Sequence, residues 1–293
     1  MGKIYSALGL MSGTSLDGVD DSIIQSDGET NCKAIFNKYY EYNKGLFEDL
    51  TSLRDKIYNL KDLNKMGPEI VSLEKEITLF HAKICNEIIK DSGLEIDFIG
   101  FHGQTIYHNV EEKISKQIGD GNLLSQLVKK KVVYNFRKND LENGGEGAPL
   151  TPIYHKSLVE FLERKEKIKT PINILNIGGI ANLTLINSNY EIISRDIGPG
   201  NCLIDKWMRK NSNKKYDENG KSAKLGKIDK FIFDQSLDNF YNNDISKKKS
   251  LDTNDFDISF ARGLSLENGA CTITEFTAEI LSKHLLNENT YVC

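Results

Sequence analysis

The stretch LGLMSGTSLDGVDDSII, residues 8–24, decides the fold. Two apolar runs flank a turn of Gly, Ser, Thr and Asp, with Gly13 and Gly18 five positions apart. That spacing approaches a Walker-type phosphate loop, yet Val19 stands where the Walker pattern needs lysine. A Walker loop also runs from strand into helix, whereas residues 4–11 and 19–24 both read as strands, so this turn sits in a hairpin. Backbone N–H groups of such a turn, with the hydroxyls of Thr14 and Ser15, suit phosphate without a helix dipole or a lysine. Asp17 and Asp20 are candidates to reach a phosphate-bound Mg²⁺, directly or through water. Asp17 before Gly18 equally suits a plain turn, and Asp20 stands evenly between the two roles.

Outward from the hairpin, residues 33–42 read as a third strand, and 46–60 and 69–90 as helices. In the second helix Ile70, Leu73, Ile77, Phe80, Ile84 and Ile88 form one apolar stripe, with Pro68 and Gly93 as start and stop signals. Residues 97–101 predict a short buried strand that ends in HGQT. A helix over 122–130 leads to a strand over 132–136, and a glycine-rich loop, RKNDLENGGEGAPLTP, follows. The domain boundary is expected there, dividing 1–136 from 137–293. The second half predicts a helix over 152–162 and strands over 171–177, 181–186 and 191–195. DIGPGN opens a helix over 202–211, residues 214–254 read as a polar helical surface, and a helix over 272–286 takes Thr272 as N-cap. Tyr291-Val292-Cys293 begins a further strand. Strands alternating with helices in both halves predict two α/β domains with a cleft between them.

The totals exclude several classes. With 293 residues and 39% hydrophobic content the chain can bury a sizeable core, and no apolar run reaches the roughly 20 residues of a membrane helix. The N-terminus reads as a strand, not a leader. A net charge of −4 gives no reason to expect nucleic acid. Five scattered cysteines without a CxxC pair argue against disulfides and zinc and predict a reducing, cytoplasmic setting. His81 and His284 are expected to be packing or surface residues. Gly220-Lys221-Ser222 lacks the earlier Walker glycine, no GxGxxG opens a helix, and no GxSxG surrounds a serine.

Several polar loops close apolar strand patterns: SGTSLDG, HGQT, FRKND with GGEGAP, NIGGIAN and DIGPGN. Asp196, after EIISR and before GPG, is the sharpest candidate for a general base, with a helix-approach turn as the plain alternative. His102, Gln104 and Thr105 are candidates for sugar hydroxyls. Arg137 and Asp140 are either a surface ion pair or a clamp on a carboxylate and a hydroxyl.

Taken in order over residues 9–205, LMSGTSLDGVD, FHGQT, QIGDGN, FR..D, GG.GAPL.P, NIGGIAN.T and D.GPGN..ID resemble the anhydro-N-acetylmuramic acid kinase family. The resemblance implies a two-domain actin-like ATPase (ribonuclease H-like) fold and ATP with Mg²⁺ as cofactors. It implies phosphorylation of 1,6-anhydro-N-acetylmuramic acid at O6 with hydrolytic opening of the anhydro bridge, a step of peptidoglycan recycling and amino-sugar catabolism. ATP would be held by Gly13, Thr14, Ser15, Leu16, Asp17, Gly18, Val19 and Asp20, with Asn176, Gly178 and Gly179. The sugar would meet His102, Gln104, Thr105, Arg137, Asp140 and Asn201, and Asp196 would activate the water. A homodimer is expected, and neither nucleic acid nor membrane as partner. Glu146 departs from the family's glutamine and is expected to alter loop polarity. The family pattern continues beyond Cys293 with an adenosine-binding loop, so the second domain is expected to be incomplete, with a non-catalytic remnant as the alternative function.

Overall fold

The computed structural model describes residues 3–13, 15–29, 31–165, 167–243, 250–285 and 289–292. It divides into two compact units, Met1–Ile168 and Lys169–Cys293. Both are mixed α/β, as expected.

The first unit opens with a meander: β1 (Tyr5–Ser12), β2 (Gly18–Ser26) and β3 (Cys32–Glu41), each antiparallel to the one before. Alternation sets the faces: along β2, Val19, Asp21 and Ile23 are buried and Asp20 is exposed. Then come α1 (Lys44–Arg54), α2 (Leu60–Lys65) and α3 (Gly67–Ser92). The α3 stripe buries Ile70, Leu73, Ile77, Ile84 and Ile88, worth about 1.5–3 kcal/mol for each large side chain fully removed from water. Gly93 ends this helix in the left-handed conformation at φ 63°.

β4 (Phe98–Asn109) then pairs parallel with β1. On its other side it meets β6 (Lys131–Val133) near its start and β5 (Ile114–Ile118) near its end. Between those two lies α4 (Gly121–Val128), and α5 (Phe136–Glu142) and α6 (Pro152–Arg164) complete the unit. The sheet order is β3-β2-β1-β4-β5, with β6 on β4.

The second unit holds β7 (Ile172–Ile177), β8 (Ile180–Ile186) and β9 (Ile192–Pro199), joined antiparallel. α7 (Cys202–Asn211), α8 (Lys221–Leu225), α9 (Lys230–Asn242) and α10 (Leu266–Ser282) follow, and β10 (Asn289–Val292) returns parallel to β7. Leu203, Trp207 and Met208 of α7 pack with Ala270, Ile273, Phe276 and Ile280 of α10. The Trp207 indole donates to the Leu266 carbonyl at 2.9 Å.

Several expectations need correction. HGQT is no loop: β4 continues through it with a register shift against β1 between Phe101 and Gln104, where Gly103 takes φ 71°. FRKND lies on α5 instead of in a loop, and β9 extends through Asp196 to Pro199. α10 is capped by Ser265, seven residues before the expected cap at Thr272. Thr272 is buried within the helix, where its hydroxyl accepts the Asp229 N–H at 3.0 Å. The division between units falls after Ile168, not after Phe136, because α5 and α6 pack with the first unit. Cys293, expected in the last strand, lies outside the described residues.

Candidate functional site

The hairpin turn between β1 and β2 is tied down from within the first unit. Leu16 takes φ 62° and is wholly buried, so its side chain roots the turn in the core. The Leu16 N–H donates to the Gly13 carbonyl at 3.3 Å. Gln104 donates its side-chain amide to the same carbonyl at 2.8 Å, and Tyr42 donates its N–H to the Asp17 carbonyl at 2.8 Å. Ser15 donates its hydroxyl to the Asp17 carboxylate. Gly18 is required by close approach: a Cβ there would stand 2.4 Å from the Tyr40 carbonyl and 2.7 Å from the Tyr39 ring. The side chains of Leu16 and Val19 belong to the core, so only their backbone can meet a ligand. Thr14 lies outside the described residues.

Asp20 faces outward beside Asp17. Burial first, and then the Asp17 charge, push its carboxyl up from the ordinary carboxylate range. Two neighbouring acids of this kind are a donor set that a divalent cation would relieve. Among the described residues no three His, Cys, Asp or Glu side chains form a metal cage.

A second cluster surrounds His102. Its Nδ1 faces the Gly103 carbonyl at 2.7 Å, so that nitrogen carries the proton and Nε2 accepts from Arg137, at 3.2 Å from Nε and 3.0 Å from Nη2. Burial, then the Arg137 guanidinium, lower the imidazole to about 4, which keeps it neutral. Arg137 and Asp140 converge on one residue of the GGEGAP loop, Gly147. Arg137 Nη1 donates to the Gly147 carbonyl at 2.7 Å, and the Gly147 N–H donates to Asp140 Oδ2 at 2.7 Å. Both residues thus shape the loop that carries Glu146. Thr105 accepts from Gln117 Nε2 at 3.1 Å across to β5.

In the second unit the glycine loops bind each other. The N–H groups of Gly200 and Asn201 donate to the carbonyls of Gly179 and Gly178, at 2.9 and 2.8 Å. Gly200 has no room for a side chain, since a Cβ would lie 2.1 Å from the Gly178 carbonyl oxygen. Asn201 also donates its amide to the Ile177 carbonyl at 3.3 Å. Asp196 is 8% exposed, and its Oδ2 accepts the Leu251 N–H at 2.8 Å. Strand register sets Asn176 opposite Asn182, and Asn182 opposite Asp196, which makes a polar row across three strands. Asn182 Oδ1 is buried with no hydrogen-bond partner among the described residues. Asn182 is missed by motif reading, although it closes NIGGIAN and shares the alternation of that strand. Among the described residues no helix is long and apolar enough to cross a membrane.

The chain is similar to known proteins over nearly its whole length. A family model described as anhydro-N-acetylmuramic acid kinase matches residues 5–289. A protein of that name from Pelagibacter ubique is 56% identical over 288 residues, covering 98% of this chain and 76% of its own. Namesakes from Brucella canis (36% identical, covering 97% of this chain and 76% of that one) and Rhizorhabdus wittichii (38%, covering 94% and 74%) follow. A solved Aquifex aeolicus PPX-GPPA enzyme is similar at 11% identity and a TM-score of 0.35, over 99% of this chain and 96% of that one. With its glycine loops and buried aspartate embedded in a match over nearly its whole length, the chain belongs to the anhydro-N-acetylmuramic acid kinase family.

Proposed function

We propose that the protein is an ATP-dependent sugar kinase that converts 1,6-anhydro-N-acetylmuramic acid and water to N-acetylmuramic acid 6-phosphate. The observation that carries this reading is Asp196. It is a carboxylate fixed on a strand, held by a backbone N–H and set opposite Asn182. A base so placed takes a proton from water as the water oxygen attacks the anomeric carbon. The bond from that carbon to O6 breaks, O6 takes the γ-phosphoryl group of ATP, and ADP leaves.

Phosphoryl transfer depends mainly on positioning and charge neutralisation. The hairpin at Gly13–Gly18 supplies the first through backbone N–H groups, with the Ser15 hydroxyl holding the Asp17 carboxylate in the turn. Mg²⁺, held by Asp20 with Asp17 and the nucleotide phosphates, would supply part of the second by drawing negative charge from the transferring group. Asn176, Gly178 and Gly179 are assigned to the nucleotide, and His102, Thr105 and Asn201 to the sugar. Neutral His102 is held in one tautomer by Gly103 and Arg137, and Arg137 and Asp140 also hold the GGEGAP loop. Gln104, whose amide is spent on Gly13, serves the hairpin more than the sugar. The presence of the base and both glycine loops, each hydrogen-bonded in place, supports a catalyst over a binding remnant.

The test is incubation with Mg-ATP and the anhydro sugar, followed by mass spectrometry. A product gaining both phosphate and water is expected. A product gaining phosphate alone, or no product, contradicts the reading.

A further inference from the structure

Beneath the hairpin runs a buried polar chain that the reaction itself does not use. Ser12, the last residue of β1, lies 3.0 Å from the Tyr42 hydroxyl and 3.3 Å from His81 Nε2. His81 Nδ1 lies 2.8 Å from the Ile77 carbonyl, one turn back on α3. All three side chains are at most 2% exposed.

The proton order in this chain is determined. A carbonyl accepts only, so Nδ1 carries the imidazole proton and Nε2 is an acceptor. Ser12 therefore donates to His81, and its oxygen receives the Tyr42 hydroxyl. The direction is Tyr42 to Ser12 to His81 to Ile77. Burial lowers His81 to about 4 and raises the Tyr42 phenol, so both stay neutral and the order is not disturbed near neutral pH. Phe80 and Phe101 close over the pair edge to face, at 5.0 Å from the Tyr42 ring and 4.9 Å from the His81 ring. Burial of this kind strengthens a satisfied network and makes its loss costly.

Tyr42 has a second attachment. Its N–H holds the Asp17 carbonyl at 2.8 Å while its hydroxyl holds Ser12, so one residue grips both ends of the 13–17 turn. We propose that Tyr42 and His81 are positioning residues that clamp the hairpin in the shape that receives phosphate. The proposal rests on reading that hairpin as the phosphate site. A turn that must place several N–H groups at once gains from such fixation, because looseness there is a cost in binding.

The test compares Tyr42→Phe, which removes one hydroxyl and keeps the ring, with wild type. Tyr40→Phe is the control: that hydroxyl donates to Glu87 Oε1 at 3.0 Å, beside the part-exposed Lys38–Glu87 ion pair. Amide hydrogen exchange at residues 13–17 reads the clamp, and calorimetric titration with Mg-ATP reads its consequence. Tyr42→Phe is expected to exchange these amides faster, with β7–β9 unchanged, and to bind Mg-ATP about tenfold more weakly. Tyr40→Phe is expected to match wild type in both. His81→Gln, which keeps an acceptor near Ser12, is expected to lose less than His81→Leu. Unchanged exchange in Tyr42→Phe overturns the clamp, and faster exchange with unchanged ATP affinity overturns its positioning role. A wild type that binds no Mg-ATP overturns the phosphate assignment itself, which the exchange result does not touch.

Discussion

Asp196 on β9 accepts the backbone N–H of Leu251 through Oδ2 at 2.8 Å, which leaves the carboxylate little freedom to rotate. An amide at this position keeps an oxygen for Leu251 but cannot take a proton from water. Asp196→Asn is therefore expected to fold like wild type and to lose turnover by about 10²–10⁴-fold. Thermal melting with a product assay checks both halves. Undiminished turnover would remove Asp196 from the base role.

The contact between the two glycine loops makes a second prediction. A methyl group at Gly200 would stand 2.1 Å from the Gly178 carbonyl oxygen, so Gly200→Ala must push the loops apart. Overpacking of this kind costs about 1–3 kcal/mol. Urea unfolding should show that loss, and turnover should fall further than stability, because Asn176 and Asp196 lie on the strands these loops join.

Buried histidines dictate an acid dependence. His81 and His102 are lowered to about 4 from an ordinary 6.5, chiefly by burial. Between those values the unfolded chain binds protons that the native chain refuses, so stability falls as pH drops from about 6.5 toward 4 and is level above 6.5. Ring-proton NMR should show neither histidine titrating above pH 5.5 in native protein. Titration near 6.5 would contradict the buried, neutral assignment.

Asp21 dictates the opposite slope. It points into the core between Val19 and Ile23, both carboxylate oxygens lack partners among the described residues, and burial with the Asp20 charge raises it to about 8. The native state holds this proton while the unfolded chain sheds it above 3.8, so the contribution of Asp21 weakens as pH rises from about 4 and levels off above 8. Asp21→Val, which suits a buried strand position, is expected to gain about 1–3 kcal/mol at neutral pH and to flatten that slope. Equal stability in urea at pH 7 would contradict it.

Much of this architecture is legible from periodicity alone. The α3 stripe, the β1–β2 hairpin and the three strands of the second unit follow from apolar spacing. What escaped is what spacing does not encode. β4 runs through HGQT because Gly103 lets the strand continue, and β5 hides in the polar ISKQI. α5 forms over FRKND, where Arg137 and Asp140 both hold Gly147 of the following loop. At the site, Asp196 and the glycine loops stand out by residue type. Asn182, Tyr42 and His81 do not, because their roles come from register and burial: an asparagine becomes notable only when it lies opposite Asp196, and a tyrosine only when it grips both ends of a turn.

In the proposed reaction one turnover joins water to the anomeric carbon and phosphate to O6. Turnover of Mg-ATP and the anhydro sugar in heavy-oxygen water, with fragment mass spectrometry of the product, tests it most directly. One heavy oxygen is expected on the anomeric carbon and none in the phosphate ester linkage. Heavy oxygen in the ester bridge, or a phosphorylated product with the anhydro ring intact, would contradict it.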